Sequence, residues 1–197
     1  MSILKQLGTP VFYVEGVPGG VTRQNYRLRV DGLVEGAPRS FSFADIEAME
    51  RSTVDARLTS VSGWSVRADW QGVRFSDFER RLALKPAATD VLFTSFGGYT
   101  TSVPLEELRY EKVLVCFKVG GEYLEPEYGG PVRMFVPQLW GYKSAKGLSR
   151  MTFHDHVVAG YWESRGYTEA AAIEPGVTFD VNTGKRREIP GGEVTGF

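Results

Sequence analysis

Residues 112–119 read KVLVCFKV. Six of the eight are apolar and three are β-branched valines, the pattern of a buried strand. DVLFTS (90–95) has the same character. Between them Pro104 opens the helical turn PLEEL, since proline is tolerated where a helix begins. VRMFVP (132–137) and LSRMTFH (148–154) predict further strands. Toward the N-terminus VFYV (11–14) reads as a short strand. Tyr26, Leu28 and Val30 alternate with Arg27 and Arg29, the period of a half-buried strand, and Asp31-Gly32 follows as a turn. Residues 54–61 alternate in the same way. Ser42 with Asp45, and Ser76 with Glu79, have capping-box spacing. Each predicts a short helix, the first burying Ile46 and Met49, the second Phe78 and Leu82. VTFDV and KRREI flank Asn182-Thr183-Gly184 and predict a hairpin over 177–190, read as solvated rather than as a contact surface. Short strands with few short helices and no regular βαβ alternation give an α+β domain with mixed sheet, and argue against a Rossmann fold.

The chain has 197 residues, which at roughly 100–200 residues per domain predicts a single domain over 1–197. Hydrophobic residues are 42% and aromatic residues 13%, too apolar for a disordered chain. Lys plus Arg is 23 against 24 Asp plus Glu, so no global basic field draws the protein to nucleic acid or to an anionic membrane. No apolar run is long enough to span a bilayer. MSILKQLGTP has no h-region of a signal peptide. A single cysteine, Cys116, excludes an internal disulfide and a cysteine-based zinc site. A soluble, reduced, cytoplasmic protein is expected.

His154-Asp155-His156 could hold a metal between two imidazoles on one strand face, or could be a polar strand end. Cys116 reads as a small apolar core residue. GxSxG, GxGxxG and the P-loop are absent, which removes serine-hydrolase, dinucleotide and P-loop readings. Two segments are richer. LTSVSGWSV (58–66) presents small polar residues, a glycine and a tryptophan after a strand. YGGPVRMFVPQLWGYKSAKG (128–147) sets Arg133, Lys143 and Lys146 beside glycine-rich turns. Exposed backbone N–H groups next to such cations form an anion nest, and a surface turn with solvated lysines is the plainer alternative.

In order and spacing these segments resemble the molybdopterin-binding domain of the sulfite oxidase family, above all its short bacterial members and the catalytic subunit of methionine sulfoxide reductase. Four blocks carry the resemblance, across about residues 24–167. LTSVSGWSVRADWQGVRFSDF (58–78) is similar to the family's strand, ligand loop and W-x-G-V-x-[LF] run. VLFTSFGGYTTSVPLEEL (91–108) follows. GGEYLEPEYGGPVRMFVPQLWGYKSAKG (120–147) is similar to G-x-x-L…H/N-G-x-P-x-R…V-P…G-x-K-x-x-K, and GYWESRGY (160–167) to G-[FY]-W-E-x-x-G-Y.

The resemblance implies an α+β fold around a deep pterin pocket, with a molybdenum cofactor that gains or loses an oxygen atom. It implies that Arg133 contacts the pterin phosphate, and that Ser144, Ala145 and Lys146 hold the cofactor's anionic end. Tyr128 stands where the family has His or Asn. Ser95 is near a hydroxyl position that touches the pterin, and Phe12 and Tyr13 fall in the aromatic segment lining the pocket. The metal-ligating cysteine position falls on Ser60. Val14, Glu15 and Gly16 replace an N-terminal Arg/Asn-His pattern, and Gly147 replaces a common tryptophan. A serine hydroxyl is far less acidic than a thiol and is a harder donor on a shorter bond.

Three functions follow from this pattern. The first is a molybdenum-cofactor oxidoreductase acting on a small oxyanion or an S- or N-oxide. The second is a degenerate pterin-binding module without turnover, and the third a cofactor-free domain for protein contacts. Arg57, Arg133 and Lys146 are the candidate cations for an oxyanion, although a strand arginine such as Arg57 more often faces solvent. Trp64, Tyr99 and Trp140 are candidate walls. No C-x-x-C-H haem motif occurs, so an enzyme of this kind needs a separate electron carrier.

Overall fold

The computed structural model describes residues 2–192; residue 1 and residues 193–197 of the expected domain lie outside the described residues. The chain opens with one helical turn, α1 (Ile3–Gln6), and an irregular stretch. Then come β1 (Arg27–Gly32), β2 (Arg39–Ser42), α2 (Phe43–Glu47), β3 (Ser52–Ser60), β4 (Trp64–Arg74) and α3 (Phe75–Glu79). β5 (Asp90–Ser95), β6 (Thr100–Pro104), α4 (Leu105–Leu108), β7 (Leu114–Val119), β8 (Glu122–Tyr123) and β9 (Arg133–Phe135) follow. The last strands are β10 (Leu148–His154), β11 (Gly176–Asp180) and β12 (Lys185–Ile189).

The α+β architecture is as expected, with its strands divided between two sheets. One sheet has the order β2-β1-β10-β5-β6. Its β1–β10 pair is parallel and its other pairs are antiparallel. The other sheet has the order β12-β11-β4-β7-β8, with β3 also on β4 and β9 also on β7.

β7 shows why KVLVCFKV has no alternation. Val115 and Phe117 enter the main core, where they meet Leu28 and Val30 of β1 and Phe93 of β5. Leu114 and Cys116 point the other way, into a second cluster with Leu58, Trp70 and Phe135. Both faces of the strand are covered, so every position except Lys118 is buried. The half-buried reading of β1 also holds, and Tyr26 just before it is fully buried, its hydroxyl donating to Leu148 O at 2.7 Å.

The capping box at Ser42 forms: Asp45 N donates to Ser42 Oγ at 3.1 Å and Ser42 N to Asp45 Oδ2 at 2.7 Å. The one at Ser76 does not. α3 starts two residues earlier, with Arg74 as its cap and no capping side chain. Tertiary packing overrides the local signal there, because Phe75 is fully buried and its N–H donates to Val113 O at 2.9 Å.

Three other expectations are corrected. Residues 11–14 form no strand, and Val11 and Phe12 are exposed. The hairpin is not a solvated appendage: β11 pairs in parallel with β4, matching Phe179 with Trp64 and Asp180 with Ser65. Arg57 does not face solvent. The hairpin covers it, and its guanidinium meets the buried Asp180 carboxylate at 3.0 and 3.2 Å. That partner lies 123 residues away, beyond the reach of a local pattern. His154 and His156 sit at the end of β10 with ring centroids 5.5 Å apart, and no metal-binding group of three or more side chains occurs among the described residues. Among those residues no helix is long and apolar enough to cross a membrane.

Candidate cofactor site

Loops from both sheets and the N-terminal stretch converge on a cavity of about 380 Å³, within the range of small-molecule sites. The turn from β3 to β4 brings Ser60, Val61, Ser62 and Trp64. The turn between β5 and β6 brings Ser95, Gly97 and Tyr99. Tyr128 and Arg133 flank the turn into β9, and Tyr142, Ser144 and Lys146 precede β10. Thr9 through Gly16 form one continuous wall, and Trp162 and Tyr167 close another.

Arg133 is 3% exposed. Its guanidinium donates to three backbone carbonyls, Tyr128 O at 2.9 Å, Ser144 O at 3.1 Å and Met134 O at 3.2 Å. It also lies 5.5 Å from the Trp70 ring. These contacts fix its position without neutralising it. Lys146 is close by, with Nζ 4.0 Å from the Tyr13 ring centroid and donating to Phe12 O. Among the described residues no carboxylate forms an ion pair with either cation. Burial, and then the neighbouring Arg133 charge, pull the Lys146 ammonium down to about 7. Gly129 permits this approach. At φ +100° it is in the left-handed region, and a Cβ there would stand 2.9 Å from Lys146 Cγ and 3.1 Å from Arg133 Cβ.

Two buried hydroxyls on the cavity wall, Ser95 Oγ and Thr9 Oγ1, have no hydrogen-bond partner among the described residues. Buried polar atoms in that state point to a missing ligand or water. Ser60 Oγ accepts from Ser62 N at 3.1 Å and lines the same cavity. Tyr128 is buried, its hydroxyl donating to Thr9 O at 3.3 Å, and Tyr13 is anchored by its hydroxyl to Pro126 O at 2.6 Å. Burial pushes the Tyr13 hydroxyl up to about 12, so it stays protonated at neutral pH.

Of the residues singled out from sequence, Ser60, Phe12, Tyr13, Ser95, Tyr128, Arg133, Ser144 and Lys146 share this cavity. Ala145 does not line it: its side chain is in the core and its carbonyl accepts from Met134 N at 2.8 Å. Ser144 acts through its backbone, since its hydroxyl accepts from Val136 N at 2.9 Å while its carbonyl holds Arg133. Trp64 and Tyr99 are walls, whereas Trp140 packs against Ile173 and Ile189. Arg57 is outside the cavity lining. Cys116 also lies outside it, in the second cluster, and burial pushes its thiol up to about 12.

Thr9, Tyr142, Trp162 and Tyr167 also line the cavity. The block GYWESRGY signalled two of them; Thr9 and Tyr142 gave no sequence signal of their own.

The two sheets and the charged, partly unsatisfied cavity at their loops define a cofactor-binding α+β domain. The chain belongs to the family described as "oxidoreductase molybdopterin binding domain", whose model matches residues 14–162. It is 36% identical over 160 residues to the uncharacterized oxidoreductase YuiH of Bacillus subtilis, covering 80% of both chains. It is 28% identical over 155 residues to the protein-methionine-sulfoxide reductase catalytic subunit MsrP of Ralstonia nicotianae, covering 70% of this chain and 46% of that one. Its fold is similar to that of the sulfane dehydrogenase SoxCD from Paracoccus pantotrophus, with a TM-score of 0.69 at 23% identity, over 90% of this chain and 47% of that one. The chain therefore spans just under half of that reductase subunit and that dehydrogenase.

Membership makes the molybdenum cofactor the group this domain binds. The residues present fit it at its anionic end, where Arg133, Lys146 and the free hydroxyls of Ser95 and Thr9 face the cavity. Ser60, on which the resemblance sets the metal-ligating position, lines the same cavity.

Proposed function

We propose that this chain is a molybdenum-cofactor oxidoreductase that moves one oxygen atom to or from a small oxyanion or an S- or N-oxide. The observation that carries the reading is the pair Arg133 and Lys146, two cations without a carboxylate partner among the described residues, in a cavity whose other walls are mostly aromatic and aliphatic. Leaving such charges unpaired away from water is unfavourable unless an anion completes the site. When bound, the cofactor supplies a metal that changes oxidation state as the oxygen atom is gained or lost. Arg133, Lys146, Ser95 and Thr9 hold its anionic end. Trp64, Tyr99, Trp162 and Tyr167 exclude water, and Ser60 takes the position of the metal-ligating side chain.

Removing oxygen from an S- or N-oxide takes up two electrons and two protons and releases water; adding it runs the same balance in reverse. A separate electron carrier supplies or accepts those electrons. The name "catalytic subunit" given to one relative supports such a division of labour. We place the protein in the cytoplasm, and fractionation of cells followed by detection of the chain tests that placement.

Ser60 supports a second reading, a pterin-binding module that has lost turnover. One measurement separates the two: molybdenum by mass spectrometry and pterin by fluorescence after oxidation, on protein from a host that makes the cofactor. Near-stoichiometric amounts of both support the oxidoreductase. Pterin without metal supports the module, and neither overturns both and leaves a scaffold for protein contacts. Arg133→Ala and Lys146→Ala are expected to lower pterin retention; unchanged retention in both would remove these residues from the site.

A further inference from the structure

The β3–β4 turn, which carries Ser60 and Trp64 to the cavity, has little of its own to hold it. Val61 and Ser62 are exposed, and Gly63 is in the left-handed region at φ +85° with open space where a Cβ would stand. Its support comes from the other end of the chain. The β11–β12 hairpin lies beyond residues 14–162, the segment that the family model matches. The chain of β11 and the turn after it runs along β4 and bonds every second residue from the turn inward. Phe179 N donates to Gly63 O, and Val181 N to Ser65 O at 3.0 Å. Asn182 accepts from Arg67 N at 2.7 Å and donates to Arg67 O at 3.0 Å. Gly63 N in turn donates to Ser60 O at 3.0 Å, so two hydrogen bonds link the hairpin to the Ser60 backbone. Buried side chains tie the same strands together. Asp180, fully buried, accepts from both Nη atoms of Arg57 at 3.0 and 3.2 Å. Arg57 Nη1 reaches Ser65 Oγ at 3.5 Å, and Ser65 Oγ shares a 3.1 Å hydrogen bond with Thr59 Oγ1. Thr59 and Ser65 are the cross-strand pair next to Ser60 and Trp64.

We infer that the hairpin is a clamp that sets Ser60 and Trp64 on the cavity wall, with Asp180 and Asn182 as its positioning residues. The inference rests on the reading above only in making Ser60 the residue whose placement matters to the metal. A turn with few buried apolar contacts opens locally at low cost. Hydrogen bonds from a neighbouring strand hold its backbone within a narrow range of distances, and side chains near a metal need support of that kind. Arg133 and Lys146 take their contacts from Phe12, Tyr13, Tyr128, Met134 and Ser144 instead. The clamp therefore acts on the Ser60 side of the cavity and leaves the anionic end alone.

The test is hydrogen–deuterium exchange of the whole chain, read by mass spectrometry, for wild type, Asp180→Asn and Asn182→Ala. Peptides over 58–66 should exchange about tenfold faster in either variant, while β10, in the other sheet, keeps its wild-type rate. A role in general stability would speed both together. Asn182 is exposed and its removal leaves no buried charge behind, so Asn182→Ala decides the matter where Asp180→Asn fails to fold. Unchanged exchange over 58–66 in Asn182→Ala, or an equal rise in β10, overturns the inference. On protein from a cofactor-making host, both variants should keep their pterin and lose at least about half of their molybdenum. A wild-type molybdenum-to-pterin ratio in a variant whose turn has loosened overturns the role for the metal. Wild type without molybdenum overturns the oxidoreductase reading instead, and the clamp then stands or falls on exchange.

Discussion

Two sets of cations in this molecule are treated in opposite ways. Lys143 is fully buried; its Nζ donates to Glu163 Oε1 at 2.6 Å and to Ser102 O at 2.7 Å, and Thr101 Oγ1 donates to the same carboxylate at 2.6 Å. Arg57 is likewise matched by Asp180, which Arg187 also contacts at 2.6 Å. Three residues along the chain from Lys143, Lys146 has an aromatic ring and a carbonyl but no carboxylate, and Arg133 beside it has three carbonyls. Carbonyl dipoles orient a cation; they do not cancel its charge. Where a charge serves the fold, the chain supplies the counter-ion. Where it serves a ligand, the counter-ion is left for the ligand to bring.

The contrast is broken most sharply by Glu163→Ala. Removing one partner of a fully buried pair should cost about 3–5 kcal/mol in urea unfolding, because the Lys143 amine is left buried without its counter-ion. A loss below about 1 kcal/mol would place the pair among weak, solvated ones. Lys146→Met should behave oppositely: pterin retention falls about tenfold or more while the cofactor-free protein is no less stable.

The pH dependence sharpens this difference. The Lys146 ammonium is held down to about 7 in the folded chain, so above that pH the unfolded chain binds a proton that the folded one has shed. The stability of cofactor-free wild type relative to Lys146→Met should therefore rise from about pH 7 toward the ordinary lysine range, with the full cost of burial present below pH 7. Affinity of the cofactor-free protein for pyrophosphate, measured by calorimetry, should change in the other direction. It should fall as pH rises through about 7, because the anion binds the protonated amine. The smallest effect on stability belongs to Ser60→Cys, which is expected within about 0.5 kcal/mol of wild type. The molybdenum-to-pterin ratio of that variant should nonetheless rise, as a thiolate replaces a hydroxyl at the metal-ligand position.

The same contrast marks how far the sequence could be read. β1, β5, β7 and β10 were legible because burial on one or both faces writes itself into the period of apolar residues. The helix at Ser42 was legible because its cap is local. The stretch 11–14 was misread because its residues are apolar for a different reason: they line a cavity rather than pair at a sheet edge. Arg57 was misread as solvent-facing because its counter-ion arrives on a hairpin 123 residues later. Lys143 and Lys146 share a motif and a residue type, yet one is structural and the other faces the cavity. Their side chains point to different places, and spacing alone does not record that.

The class of fold, most of the strands and the family resemblance were readable in the chain, since periodicity, caps and ordered blocks are properties of residues taken in line. The resemblance also implied that Ser60 stands where the family has a thiol. The folded chain alone shows that the hairpin belongs to a sheet and which cations lack a partner, while the reading of Cys116 as an interior-strand residue that cannot stand in for the thiol agrees with its place in the second cluster. Those facts depend on which distant groups fold together, and a charge is compensated by its neighbours in space, whatever their distance along the chain.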